Sequence, residues 1–126
     1  MQIAHVALWT RDLDRAAAFW EEHFAATVGP RYRSARRPGF ESRFVSLGEG
    51  PAIELMTAPW IASAEPAERE GWAHVAVSLG SAEAVRALAA RLAAAGLLIS
   101  PPRMTGDGFF EAVARDADGN LVEITA

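Results

Sequence analysis

Residues 3–9, Ile-Ala-His-Val-Ala-Leu-Trp, alternate with the two-residue period of a strand. Ile3, His5, Ala7 and Trp9 face one way; Ala4, Val6 and Leu8 face the other. Arg11-Asp12 breaks the alternation. Asp12 has the side chain to cap a helix, and Asp14 suits its first turn. Leu13, Ala16, Ala17, Phe19, Trp20 and Phe24 then recur at helical spacing, predicting a helix to about residue 25 with a broad apolar stripe. A short, weak or edge strand is expected over 27–32, because Gly29-Pro30 lies inside it. Residues 40–47 read as a strand, Gly48-Glu49-Gly50 as a hairpin loop, and Ala52–Thr57 as the returning strand.

The pattern then restarts. Ala4-His5-Val6-Ala7 recurs as Ala73-His74-Val75-Ala76, an offset of 69 (74 − 5). The same offset carries Gly39-Phe40 onto Gly108-Phe109, Gly50 onto Gly119, and Ile53-Glu54-Leu55 onto Val122-Glu123-Ile124. The second copy predicts a strand over 73–79 and a helix capped by Ser81, running to about residue 95 and stopped by Gly96. A short strand over 97–100, closed by Pro101-Pro102, follows. A hairpin of 109–115 with Leu121–Thr125 turns at Asp118-Gly119. Each copy is β-α-β-β-β, and the fold class is α+β. The domain plan is one domain, 1–126, made of modules 1–58 and 71–126 joined by a Pro-, Ala- and Glu-rich linker over 59–70. The helix covers one face of each sheet, and the other face must meet a partner, either the second copy or another chain.

Composition narrows the field. The chain has 126 residues, 51% hydrophobic, enough for one compact domain. Its net charge is −4, and every basic residue is Arg, which argues against a nucleic-acid partner. No apolar run is long enough to cross a bilayer, and Met1-Gln2-Ile3 has no basic leader region. No membrane partner is therefore expected, and the cytoplasm is the default location. With no cysteine there is no disulfide, thiolate nucleophile or Cys-ligated metal.

Chemistry enters through the repeat. His5 and His74 share one internal place, and Glu54 and Glu123 share another. Each Glu alternates with apolar neighbours, Ile53 and Leu55 or Val122 and Ile124, that belong under a helix. A carboxylate so placed normally points to water; if the two copies close on each other, it points to the face carrying the histidines. Two His and two Glu suit a divalent ion with positions open for water or substrate. Taken singly, each His reads better as a hydrogen-bonded sheet residue and each Glu as a solvated one. All four at one offset favour the metal.

The His5 strand, Glu54 after a glycine-bounded hairpin, the restart Gly71-Trp72-Ala73-His74, and the ending Asp116-Ala117-Asp118-Gly119-Asn120-Leu121-Val122-Glu123 resemble the glyoxalase/bleomycin-resistance/dioxygenase (vicinal oxygen chelate) superfamily. The resemblance spans nearly the whole chain. It implies two βαβββ modules forming a cup-shaped mixed sheet with helices outside, paired within one chain or across a dimer. The ligand order His, Glu, His, Glu is most similar to glyoxalase I, a lactoylglutathione lyase. That implies a nickel or zinc ion on His5, Glu54, His74 and Glu123. It also implies isomerisation of a small thiohemiacetal-like carbonyl substrate through a metal-bound enediolate. Glu123 is the first choice for the proton-moving base and Glu54 the second. Relatives with three ligands, or with Gln in place of Glu54, carry out ring cleavage, epimerisation or antibiotic modification. Others bind antibiotics without catalysis. A homodimer is expected.

Two positions depart from the glyoxalase I pattern. Bacterial members tend to place an Arg four residues after the first His and an Asn four after the first Glu, as glutathione anchors. Trp9 and Ala58 stand there instead, so a glutathione thiol is not the expected cofactor. Trp9 and Trp60 make for an aromatic substrate pocket, or for ordinary packing. Arg37, in the Arg31–Arg33–Arg36–Arg37 run, is a candidate for an anionic substrate group. His23 has no counterpart in the second copy and reads as surface. Asp116-x-Asp118-Gly119 lacks the distal Glu of a calcium loop and reads as a turn. Gly106-Asp107-Gly108 precedes a strand, not a helix, and is no dinucleotide loop.

Overall fold

A computed structural model describes residues 3–62, 72–106 and 108–126. The chain divides into two compact units, Met1–Glu65 and Pro66–Ala126. Most of the expected linker falls on 63–71, outside the described residues.

In the first unit β1 (His5–Trp9) leads into α1 (Leu13–Phe24). Then come β2 (Thr27–Val28), β3 (Tyr32–Arg33), β4 (Glu41–Ser46) and β5 (Ala52–Thr57). Asp12 caps α1: its Oδ1 accepts the backbone N–H groups of Asp14 and Arg15 at 3.1 and 3.0 Å, satisfying donors the first turn leaves unpaired. The sheet runs β1-β5-β4-β2, with β3 also on β4. β1 is parallel to β5, and β4 is antiparallel to its neighbours, so the sheet is mixed. α1 packs on β2, β4 and β5. Its stripe, Leu13, Ala16, Ala17, Phe19 and Trp20, is buried together with Val45, Ile53 and Leu55. Phe24 completes the stripe by stacking on Phe19 and Trp20 with centroids 5.7 and 5.0 Å apart. His23 is not simply surface. It is half-buried, with its ring centroid 5.3 Å from that of Phe19.

The second unit repeats the plan with β6 (His74–Ser78), α2 (Ala82–Ala94), β7 (Leu98–Met104), β8 (Phe110–Arg115) and β9 (Leu121–Thr125), in the order β6-β9-β8-β7. β6 is parallel to β9; the other pairs are antiparallel. α2 packs on β7, β8 and β9, burying Val85, Leu88, Ala89 and Leu92 against Ala112, Ala114, Val122 and Ile124. These are two βαβββ modules of an α+β fold.

Two expectations need correction. The strand over 27–32 is two short strands, interrupted at Gly29-Pro30, where Gly29 N–H donates to the Phe44 carbonyl at 2.8 Å. Pro101-Pro102 does not end β7. The strand runs through both prolines because it is an edge, and its register to β8 shifts between Ser100 and Arg103. A proline lacks the donor for a ladder, but an irregular edge does not require one.

Candidate functional site

In the first unit the β1–β5 register sets Ala7 directly beside Glu54 and His5 beside Ala52. His5 and Glu54 are thus diagonal neighbours on one face, opposite the face where Ile53 and Leu55 are buried. The His5 Nε2 and Glu54 Oε2 atoms are 3.7 Å apart. The second unit repeats this relation. Ala76 stands beside Glu123 and His74 beside Leu121, and His74 Nε2 lies 3.3 Å from Glu123 Oε2. In both pairs an alanine, two residues along the histidine's strand, stands directly beside the glutamate.

The imidazole and carboxylate in each pair are half-open to solvent, with side-chain exposures of 47% and 18% in the first unit and 44% and 20% in the second. Two donor atoms ~2.1 Å from one ion and roughly 90–110° apart are separated by about 3.0–3.4 Å. The observed separations are close to that edge length. Each unit therefore presents two donors of suitable type and spacing. Among the described residues no group of three or more His, Asp or Glu side chains gathers closely enough to hold an ion. Neither pair alone is a full coordination sphere.

Further along the same face of the first unit lies an aromatic group. Trp9 meets Phe40 edge-on at 6.1 Å, and the Arg37 guanidinium lies over the Phe40 and Trp60 rings at 5.5 and 5.0 Å. Trp9, Trp60 and Arg37, singled out separately in the sequence, thus share one cluster through Phe40. Arg31 and Arg33 of the run, and Arg43 on β4, behave differently. Arg31 bridges Glu41 and Asp14, Arg33 binds Glu41 at 2.9 Å, and Arg43 reaches Asp14 at 3.3 Å. These arginines tie β3 and β4 to the start of α1. Hydrogen bonds to Glu41 and then Asp14 raise the Arg31 pKa, and the Arg31 and Arg33 hydrogen bonds hold the Glu41 carboxyl below its ordinary value.

Sequence reasoning missed three neighbours of these groups. Phe44, directly across from Glu54 on β4, packs edge-on against His5 at 5.5 Å. Phe40 links Trp9 to Arg37. Glu111, on the His74 face of β8, is 7% exposed and lies 3.3 Å from Arg103. The alternation of β4 and β8 would have placed Phe44 and Glu111 on those faces. A cavity of about 400 Å³ in the first unit is lined by Arg11, Gly39, Glu41, Thr57, Pro59 and Ile61 among others, but by neither His5 nor Glu54. It is not the His–Glu site. The Asp116 turn is a hairpin device: its carboxylate accepts the N–H groups of Asp118 and Asn120 and the Asn120 side-chain amide, each at 2.9 Å.

The fold is shared with solved proteins. A glyoxylase/bleomycin resistance protein/dioxygenase domain from Frankia sp. EAN1pec is 25% identical with a TM-score of 0.84, covering 99% of this chain and 96% of that one. Leishmania major glyoxalase I, described as trypanothione-dependent, is 20% identical with a TM-score of 0.77, covering 99% and 86%. Glyoxalase I from Zea mays is 22% identical with a TM-score of 0.79. Its match covers 98% of this chain but only 44% of the maize chain. No curated protein matches the sequence. The model of one family, the Glyoxalase/Bleomycin resistance protein/Dioxygenase superfamily, matches residues 2–124, nearly the whole chain. The protein therefore belongs to the glyoxalase/bleomycin resistance protein/dioxygenase superfamily.

Proposed function

We propose that this protein is a divalent-metal-dependent lyase or isomerase of glyoxalase type, acting on a small carbonyl substrate. The carrying observation is the duplicated His–Glu pair, 3.3 Å apart in the second unit, within the separation of two ligands on one ion, and 3.7 Å apart in the first, slightly beyond it. The ligand set is His5, Glu54, His74 and Glu123, and nickel or zinc suits its nitrogen and oxygen donors. The set requires both pairs, since each supplies only two donors. A homodimer is part of this reading.

When bound, the ion polarises a substrate carbonyl and makes the adjacent C–H more acidic. The chain's own residues supply the rest. Glu123 is the first candidate to take the proton and return it to the neighbouring carbon, and Glu54 is the second. Ala7 and Ala76 stand directly beside these carboxylates on the sheet. His5 and His74 are the neutral donors that hold the site together. Phe44 packs edge-on against one side of His5. Trp9 in place of an arginine anchor favours a substrate other than a glutathione adduct.

The test is metal content of the untagged protein by plasma mass spectrometry, wild type beside Glu54→Ala. Close to one divalent ion per chain in wild type, mostly lost in the variant, supports the reading. It then justifies a screen of α-ketoaldehydes with different thiols. No bound ion after incubation with nickel, zinc, cobalt and manganese would sink the catalytic reading and leave a small-molecule binding protein.

A further inference from the structure

The arginines of the first unit fall into two groups. Arg31, Arg33 and Arg43 are each paired with a carboxylate. Arg37 is not. Among the described residues its guanidinium meets only the Phe40 and Trp60 rings. Among the described residues Arg11 and Arg36 have no carboxylate partner either; what sets Arg37 apart is that its guanidinium lies over two aromatic rings.

The loop holding Arg37 is built rather than loose. The Arg37 N–H donates to Ser34 Oγ at 3.0 Å, the Phe40 N–H to the Arg37 carbonyl at 2.9 Å, and the Ser34 N–H to the Phe40 carbonyl at 3.0 Å. Gly39, at φ +91°, brings the loop so close to Pro59 that a Cβ there would lie 2.9 Å from the proline ring. The Arg37 side chain is thus held at a fixed place beside Trp60, which is 51% exposed, with Trp9 beyond Phe40 at 44%. Ring contacts at the guanidinium carbon use none of its N–H donors as hydrogen bonds, and no carboxylate among the described residues takes them. Those donors match a carboxylate in a bidentate fork.

We propose that Arg37, with Trp9, Phe40 and Trp60, is a subsite for the carboxylate end of an organic anion whose apolar, planar portion lies against the Trp9 ring. Trp9 is four residues along β1 from His5 and on the same face, a span of roughly 13 Å. The carboxylate is therefore well removed from the His5–Glu54 pair. The ligand class is an elongated aryl or similarly planar carboxylic acid. A compact α-ketoaldehyde alone does not span that distance. The inference rests on the reading above only for what happens at the far end of the ligand.

Its test uses neither metal nor turnover, so its failure and that of the metal reading are told apart. Indole N–H signals of metal-free protein are followed by two-dimensional NMR, with Trp9 and Trp60 assigned through Trp9→Phe and Trp60→Phe. Phenylacetate and its neutral counterpart phenylacetamide are titrated. The expected result is a saturable shift of the Trp9 and Trp60 signals by phenylacetate, at least ten-fold weaker with the amide, while Trp20 in the core stays put. Arg37→Gln should abolish the response. Arg37→Lys, which keeps the charge without the fork, should weaken it several-fold. The Trp20 signal reports that each variant is folded. Equal response to acid and amide, an unchanged response in Arg37→Gln or Arg37→Lys, or no shift with phenylacetate at millimolar concentration would each overturn the proposal.

Discussion

Ala7 stands directly beside Glu54 in the parallel β1–β5 ladder, and the Glu54 carboxylate leans past it to within 3.7 Å of His5. Ala76 stands beside Glu123 in the same way. Replacing either alanine by valine keeps a residue well suited to a strand but adds bulk beside the carboxylate. Ala7→Val should lower metal affinity by about ten-fold or more, as is typical when a ligand's supporting neighbour is disturbed, with little loss of fold. Competition with a metallochromic chelator checks this, and unchanged affinity would show that the diagonal is not used.

His5 and His74 occupy equivalent positions, so His5→Ala and His74→Ala should each remove a comparable share of metal affinity. The double variant should bind no more tightly than a nonspecific carboxylate surface. Calorimetric titration of the metal-free proteins with nickel or zinc gives the comparison. Strong binding surviving in either single variant would assign the site to one unit's pair alone.

Gly39 is held at φ +91° against Pro59, a backbone conformation that a residue with a Cβ adopts only with strain. Gly39→Ala should cost about 1–3 kcal/mol in urea unfolding. It should also weaken phenylacetate binding by displacing the Arg37 loop, while leaving metal affinity unchanged. Coincident loss of both would mean that the two features are not separable.

The Arg31 and Arg33 contacts hold the Glu41 carboxyl below its ordinary value of 4.5. A depressed folded-state pKa contributes stability that is complete above the unfolded value and is lost as pH falls through the folded one. Wild type should exceed Glu41→Gln in melting temperature at pH 7, and the gap should close as the pH is taken below about 4. Calorimetric melting across that range decides it; a gap independent of pH would rule out the ion pairs as its source.

Asp116 bends the curve the other way. Burial raises its carboxyl above the ordinary 3.8, against the opposing hydrogen bonds from Asn120 and Asp118. A raised folded-state pKa gives stability that is complete below the unfolded value and lost as pH rises through the folded one. The stability of wild type relative to Asp116→Asn should therefore decline on going from pH 3 toward neutrality. Carbon-detected NMR should find Asp116 titrating above the ordinary aspartate range.

Much of the fold was legible because its elements announce themselves locally. Asp12 and Ser81 mark helix starts, and the 69-residue offset exposes the second module. Alternation around Ile53-Glu54-Leu55 assigned Glu54 to the His5 face, and the β1–β5 register agrees. The failures were of context. Pro101-Pro102 read as a stop, because nothing local says that β7 is an edge with an irregular register. The arginine run read as one feature, although Arg31 and Arg33 are consumed by Glu41 while Arg37 turns to aromatic rings.

The sequence by itself determined the two-module plan, the helix caps and the apolar faces, and it singled out His5, Glu54, His74 and Glu123 as candidates. All of these follow from periodicity and repetition, which act over a few residues or at a constant offset. Only the tertiary structure decided that Ala7 and Ala76 stand beside the carboxylates, that Phe44 packs against His5, and that Phe40 joins Trp9 to Arg37. Those relations depend on which strand lies beside which and in what register. That choice is made by burying whole faces against a helix, and no short stretch of sequence carries it.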